Sequence, residues 1–498
     1  MEPLSLKDLL TAVRGAVVGP SPDAEFRHVI TDSRQVERGD LFFALKGPRH
    51  DGHDFVMEVR RKGARGAIVS ALPRGLASSR DFVLVRVADT ARALLDLAGS
   101  YRARFTFPVV GVTGSNGKTT TKDLIGCLFA GCGCGPVVVS ERSFNNHVGL
   151  PLTIFRFDRD TTRAVLELGT NAPGEIAELA AVARPQVAVI TNVSESHLEG
   201  LGDLEGVRQE KATLLDSLPR DGLAVLNADD ASFAYLAARA PGRIVSFGIR
   251  RHATTMALDI KCGLRSLTFR LDGQHRMLVR LTGCHNVYNT LAALAVAREL
   301  GISPEACRRA LQRFDRPPGR IRPVQVGNLL VLDDTFNANP GSVEAAIKTL
   351  SVLGVRGRRV LVLGDMRELG EHSEALHRRI GRMIYAEAFG LVVTVGSPSR
   401  FILEEAREKG LPESALRHFE TTEDAIRWLP GALRPNDTIL VKGSRALAME
   451  RVVDAILAQG PFRPEDLVSS TDDRSRAGPD DDQLAGCPAL VVGEGAPA

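Results

Sequence analysis

Residues 109–124 read VVGVTGSNGKTTTKDL, an apolar run that passes through glycines into Lys118, Thr119, Thr120 and Thr121. Gly111, Gly114 and Gly117 let backbone N–H groups close on phosphate oxygens, and a helix that starts at the lysine adds further N–H groups and a positive dipole end. Lys118 can reach β- and γ-phosphates, while a hydroxyl at Thr119 or Thr120 can hold Mg²⁺. The usual Walker A spacing is not met, because Val112 stands five positions before Gly117. A Gly-rich turn without a ligand is the competing reading. Strand before, helix after and Gly-Lys-Thr-Thr between favour a nucleotide cradle made of Thr113, Gly114, Ser115, Asn116, Gly117, Lys118, Thr119 and Thr120.

Two other strand-like runs end in groups that suit the same chemistry. TRAVLELGTN delivers Glu167, and QVAVITNVSESHLEG delivers Asn192 and His197. In an open parallel sheet the carboxyl ends of strands share one edge, where ligands bind, so the three loops are expected to converge. A carboxylate and an imidazole near triphosphate oxygens suit a second divalent ion. Alone, Glu167 reads equally as a salt-bridged residue and His197 as a loop histidine. Asn286 and Asn289 in HNVYN share a helix face near its start, where capping and adenine recognition are both open. Arg320 stands at a hinge from which a closing domain can bring a guanidinium to the γ-phosphate. Asp333 and Asp334 lead into TFNANPGSVEAA, an Asn-rich turn that either caps a helix or grips a polar ligand.

These residues need a scaffold, and the chain has room for one. Its 498 residues exceed what a single core fills, so about three domains are expected. Residues 1–105 read as a small α/β unit ending in the helical pattern TARALLDLAGSYRARF. Residues 106–318 alternate strand and helix patterns, with helices at 118–130, 174–183 and 204–218, which implies a mostly parallel sheet. After the rigid RPPGR at 316–320, residues 319–460 alternate again as NLLVLDD, RRVLVLGD, LVVTVG and DTILVKGS, the pattern of a doubly wound Rossmann-like unit. Residues 461–498 lose periodicity and read as a mobile tail.

A net charge of +3 gives no field that suggests nucleic acid or an anionic membrane. No apolar run approaches the ~18 residues of a membrane span, and MEPLSLKDLLTAVRG lacks signal-peptide form. Seven cysteines, an odd number, do not suggest a disulfide framework; free thiols and a cytoplasmic address are expected. Cys132 and Cys134 read as packed or loop thiols rather than a metal pair.

Together the segments TDSRQVERGDLFFALKG, TGSNGKTT, SFNNHVGLP, LELGTNAPGEIAELA, ITNVSESHLEG, HNVYN, DDTFNANPGSVEAA and LGDMRELGEHSEALH resemble the Mur ligase family over roughly residues 1–460. These are ATP-dependent amide-forming enzymes of peptidoglycan precursor synthesis. The last two segments are most similar to the member that adds D-alanyl-D-alanine to UDP-N-acetylmuramoyl-tripeptide. The Asp-Asn-Pro-Arg string of the diaminopimelate-adding relative is absent. The resemblance implies three domains, for the UDP-sugar peptide, for ATP and for the incoming dipeptide, in a monomer. It places Ser33 at the uridine nucleotide and Asn145 and Asn146 at the UDP-sugar peptide. It gives Lys118 and Thr119 to phosphate and a first Mg²⁺, and Glu167 and His197 to a second. Asn286 and Arg320 match ATP contacts, Asp334 lies near the ribose, and Asn337 and Asn339 match contacts to the dipeptide. Lys211, by sequence an ordinary helix-surface lysine, falls where the family carries a carbamoylated lysine. Three positions depart from the pattern: Thr213 in place of an acid, Phe336 in place of Tyr, and His147 in place of Glu.

The expected chemistry is γ-phosphoryl transfer to a carboxylate, then attack of an amine on the acyl phosphate, with Lys118, His197, Lys211 and Arg320 as catalytic groups. A ligase adding a single amino acid and a nucleotide-driven switch are the rivals.

Overall fold

The computed structural model describes residues 1–20, 23–72, 76–387 and 389–458. The expected tail at 461–498 lies outside them, as does Cys487.

Three larger sheets and a two-stranded one, Leu4–Ser5 with Glu25–Phe26, organise the described residues. In the first third, strands Ala16–Val17, Val83–Arg86, Gly66–Val69, Leu41–Phe43 and Val29–Ile30 lie in that order, parallel except for the first pair. The central sheet has nine strands. Strand Val109–Thr113 lies between Arg163–Glu167 and Val187–Ile190, and all are parallel. Strands Leu223–Asn227, Arg243–Gly248 and Thr255–Cys262 extend the parallel run on one side, and Val137–Val139 closes the other. The stretch before HNVYN ends as an antiparallel meander, Thr255–Cys262, Leu267–Leu271 and His275–Val279.

Strands such as VVGVT and VAVI are apolar throughout because both faces are covered. Val110 and Val112 pack under helices Lys118–Gly131 and His285–Glu299, and Val109 packs on the opposite face, towards Leu214. That opposite core runs without a break from Leu4, Phe43 and Leu94 to Ile154, Leu166 and Ala188. Helix Thr90–Arg102 spans the junction: Tyr101 Oη donates to Phe157 O at 2.6 Å and Arg102 Nε to Ala183 O at 2.9 Å. The first domain is therefore welded to the second by a shared core, although the sequence breaks at Pro108.

The third sheet runs Arg322–Val326, Leu329–Asp334, Thr438–Lys442, Arg359–Gly364, Leu391–Val395, Leu416–Phe419, and only the first pair is antiparallel. From Leu329–Asp334 the chain crosses over the Thr438–Lys442 slot, builds outward, then returns to fill it. The strand order thus reverses between Thr438–Lys442 and Arg359–Gly364, the place where a doubly wound sheet opens a crevice. The short helix Leu198–Leu201 of the central domain packs into the third domain's core with Val207.

One expectation fails here. Cys262 and Cys284 form a disulfide, with Cα atoms 6.0 Å apart, where free thiols were expected. The end of the meander strand and the start of helix His285–Glu299 meet across a sequence separation of 22, a proximity that an odd cysteine count cannot reveal. Cys127, Cys132, Cys134 and Cys307 are free thiols. Among the described residues no helix is long and apolar enough to cross a membrane.

Candidate active site

The loop after Val109–Thr113 turns into helix Lys118–Gly131 with no side chain capping that helix, so its first N–H groups are left for a ligand. Its glycines are required. Gly114 holds φ 146° and Gly117 φ 81°, and a Cβ would fall 1.9 Å from Thr191 Oγ1 at the first and 2.1 Å from Asn289 Oδ1 at the second. Neighbouring amides fix the loop: Asn116 N donates to Asn192 Oδ1 at 3.0 Å, Asn192 Nδ2 to Asn116 O at 2.9 Å and Ser115 Oγ to Ser194 O at 2.7 Å. Ser196 Oγ reaches Ser115 Oγ at 3.0 Å, so the segment carrying His197 lies directly against the cradle. Lys118 Nζ donates to Gly114 O at 2.7 Å, and Thr113 Oγ1 to Leu168 O at 2.8 Å. Thr120 is buried in the first turn of the helix. Gly117→Ala is expected to cost about 2 kcal/mol or more, from the left-handed backbone and the clash together, and to abolish thermal stabilisation by ADP; calorimetry with and without ADP measures both.

Sheet register puts Glu167 opposite Val112, and Ile190 opposite Thr113, so the three strand ends form one rim. Glu167 is 1% exposed; Oε1 accepts from Asn145 Nδ2 at 2.9 Å and Oε2 makes no hydrogen bond among the described residues. Its charge acts on Lys118 and Arg320: burial pulls both below their ordinary values, and Glu167 opposes the shift. Partly buried Asp123 in helix Lys118–Gly131 joins this group; burial raises its carboxyl pKa, with Lys122 opposing.

Lys211 is not a surface residue. It is 1% exposed on helix Leu204–Asp216, its pKa is driven well below the ordinary lysine value, first by burial and then by Lys118, and it forms no ion pair among the described residues. A neutral amine is the form that adds CO₂. His197, at φ 54°, gives Nδ1 to the carboxylate of Glu368 from the third domain.

The third domain touches the loop itself. Arg320 Nη2 donates to Thr119 Oγ1 at 3.3 Å, and its guanidinium lies 3.9 Å over the Phe336 ring. The tyrosine hydroxyl that Phe336 lacks is not needed for that stack. Asn339 Nδ2 donates to Asn116 Oδ1 at 2.8 Å while Asn339 caps helix Pro340–Val352 through Ser342 N. Asp334 is buried in an ion pair with Lys442 Nζ at 2.7 Å, and Lys442 also reaches Asn337 O at 2.9 Å. At the crevice, Asp365 follows Arg359–Gly364, with Oδ1 accepting from Ser399 N at 3.0 Å and Oδ2 making no hydrogen bond among the described residues. Burial raises its carboxyl pKa, and Arg367 lies 3.6 Å away. Arg445 N reaches Asn337 Oδ1 at 3.4 Å on the other side.

The remaining expected residues are more dispersed. Asn286 is buried beside the cradle, donates to Thr282 O at 2.7 Å and accepts from Asn289 Nδ2 at 2.8 Å; helix His285–Glu299 has no side-chain cap, so Asn286 does not cap it. Asn146 caps Gly149 N at 2.9 Å, next to Asn145. Ser33 lies at the far domain, in the 3₁₀ turn Ser33–Gln35 after strand Val29–Ile30, where its carbonyl accepts from Lys62 Nζ at 2.9 Å. Sequence reasoning missed Asp123, Asp365, Glu368 and Lys442. A lysine closing a strand buried on both faces was a readable sign of a partner.

A phosphate cradle whose site is finished by a guanidinium from a second domain defines a phosphoryl-transfer enzyme of the P-loop type. Family models match in all three parts: "Mur ligase family, catalytic domain" at residues 25–101, "Mur ligase middle domain" at 112–297 and "Mur ligase, glutamate ligase domain" at 319–445. The chain is 34% identical over 465 residues to the UDP-N-acetylmuramoyl-tripeptide–D-alanyl-D-alanine ligase of Escherichia coli, covering 92% of this chain and 99% of that one. For the Bacillus subtilis ligase of the same name the identity is 32%, with 91% and 98% covered. A crystal structure of MurF from Acinetobacter baumannii superposes with a TM-score of 0.84 at 31% identity, covering 92% of this chain and all of that one. MurF ligase from Thermotoga maritima in complex with ADP gives 0.76 at 28% identity, with 87% and 97% covered. The chain belongs to the Mur ligase family.

Proposed function

We propose that this chain joins D-alanyl-D-alanine to UDP-N-acetylmuramoyl-tripeptide, an ATP-dependent, ADP-forming amide ligation of peptidoglycan precursor synthesis. One observation carries the reading: the cradle and Glu167 lie at one sheet rim, buried Lys211 is close enough to feel the charge of Lys118, and Arg320 of another domain is already in contact with Thr119 there. The names of the E. coli and B. subtilis relatives, matched nearly end to end, support this pair of substrates.

In this reading residues 1–105 hold the UDP-sugar through Ser33, 106–318 hold ATP, and 319–460 bring the dipeptide. The tripeptide carboxylate oxygen attacks the γ-phosphorus and the bond to ADP breaks. The amine then attacks the acyl carbon, and phosphate leaves with the former carboxylate oxygen. Lys118 and Arg320 face the charge on the transferring group, since such reactions depend on positioning and electrostatic stabilisation. Asn286 contacts the adenine and Asp334 lies by the ribose, held in place by Lys442. Asn145 and Asn146 line the approach of the peptide. Closure of the third domain keeps water from the acyl phosphate.

The residues present fit Mg²⁺. Glu167 Oε2 is a buried carboxylate oxygen that makes no hydrogen bond among the described residues, and Thr119 offers a hydroxyl on the cradle. Among the described residues no group of three or more His, Cys, Asp and Glu converges; Mg²⁺ usually keeps several waters and is held by one or two carboxylates with substrate phosphates. Thr119, Glu167, His197 and a carbamoylated Lys211 would hold the ions, which supply charge neutralisation to the phosphates.

For the amine side we assign the crevice at Asp365, with Asn337 and Asn339 at its rim. Asp365 Oδ2 makes no hydrogen bond among the described residues and can take an ammonium, while the largely exposed Arg367, 3.6 Å from that oxygen, is placed for a carboxylate. Asp365→Asn is expected to raise KM for the dipeptide about tenfold or more with KM for ATP unchanged, read from steady-state kinetics. The reading itself is tested by phosphate release and product mass. Release must require both UDP-tripeptide and dipeptide. Turnover indifferent to the dipeptide, or a product carrying one added amino acid, would replace it.

A further inference from the structure

The loop after Arg359–Gly364 reaches back across the domain boundary, and Glu368 is its outermost contact. Glu368 holds φ 63° and grips the central domain twice: its carbonyl accepts from Glu199 N at 3.1 Å, and its carboxylate bonds His197 Nδ1. His197 also holds a left-handed backbone. Two non-glycine residues in that region, facing each other across a boundary, are kept there by the contacts they make. The same stretch is held by Arg379 Nη1 to Glu195 Oε1 at 2.8 Å and His372 Nε2 with Gly202 O at 3.2 Å, but neither touches the imidazole. Among the described residues His197 Nε2 makes no hydrogen bond.

A neutral imidazole carries one N–H and one lone pair. A carboxylate at Nδ1 takes the N–H, so the lone pair stays on Nε2. Carboxylates set the tautomer and basicity of metal-binding histidines in this way. Here the carboxylate comes from a different domain, 171 residues away in sequence.

We propose that Glu368 is the positioning residue of His197, delivered by domain closure, so that the imidazole presents Nε2 to the divalent cation only in the closed enzyme. The proposal rests on the reading above in which His197 meets that cation. Closure and cation loading are thereby one event, and the open enzyme lacks an aligned ligand.

The test uses Mn²⁺ as probe, with bound ion counted by electron paramagnetic resonance on the full chain with ADP and UDP-tripeptide. Nitrogen NMR of labelled histidine reports the His197 tautomer. Glu368→Ala is expected to weaken Mn²⁺ about 10- to 100-fold and to scramble the tautomer. Glu368→Gln retains an acceptor oxygen, and should keep the tautomer and lose less than about tenfold. Arg379→Ala, which removes one partly exposed closure contact, should stay within about threefold with the tautomer intact. Equal loss in Glu368→Ala and Arg379→Ala, or an unchanged tautomer in Glu368→Ala, would overturn the proposal. Mn²⁺ bound as tightly by His197→Ala as by the parent would instead sink the underlying reading of His197.

Discussion

Arg320→Ala lowers kcat about a thousandfold, with KM for UDP-tripeptide and the melting temperature little changed. The guanidinium does not hold the fold together. It contacts Thr119 Oγ1 and the Phe336 face, and the neighbouring Asp334 keeps its own partner in Lys442. Its position on the cradle is what matters, since it meets charge that develops only as the phosphoryl group moves. Arg320→Lys should recover little of the rate, because a lysine ammonium neither stacks flat on Phe336 nor presents a fork to phosphate oxygens. Single-turnover phosphate release measures the chemical step. A comparable rise in KM without loss of kcat would make Arg320 a binding residue only.

Lys211→Met removes activity by about a hundredfold or more and leaves the protein at least as stable as before. The buried amine has no ion-pair partner among the described residues and its folded pKa is depressed, so below the ordinary value of 10.5 the unfolded chain binds more protons at this group than the folded one. That difference destabilises the fold in full below the depressed pKa, and it fades as pH rises through the window between that pKa and 10.5. In CO₂-free buffer the methionine variant should therefore gain stability over the parent near neutral pH, with the gain shrinking towards pH 10.5. Denaturant melts across that range measure it. Activity in the parent should rise with added bicarbonate, and intact mass should show one bound CO₂. A methionine variant that keeps its rate would return Lys211 to a packing role.

Much of this was legible. Apolar runs of four to six residues alternating with helical periods mark the buried parallel strands, and the residues at their carboxyl ends, Glu167 among them, share a rim by topology alone. Lys211 was legible in principle. Val207, Lys211, Leu214 and Leu215 occupy one stripe of helix Leu204–Asp216, where a lysine is out of keeping with its neighbours. What the sequence hides is pairing across distance. Nothing in the Arg-Glu-Leu-Gly string announces that Glu368 meets His197, since that contact depends on how two domains dock. Asp365 is hidden for the same reason: its surroundings are closed in by Gly396, where a Cβ would lie 2.4 Å from its carboxylate. The Cys262–Cys284 bond escaped because only the closing of the meander onto a helix start brings the two sulfurs together.

The central claim is that a carboxylate is activated by phosphorylation at the rim shared by Lys118, Glu167 and Arg320. UDP-tripeptide labelled with heavy oxygen in its terminal carboxylate, turned over with ATP and D-alanyl-D-alanine, tests it directly by the mass of the released phosphate. One labelled oxygen in each phosphate is predicted, and phosphate free of label would contradict the account.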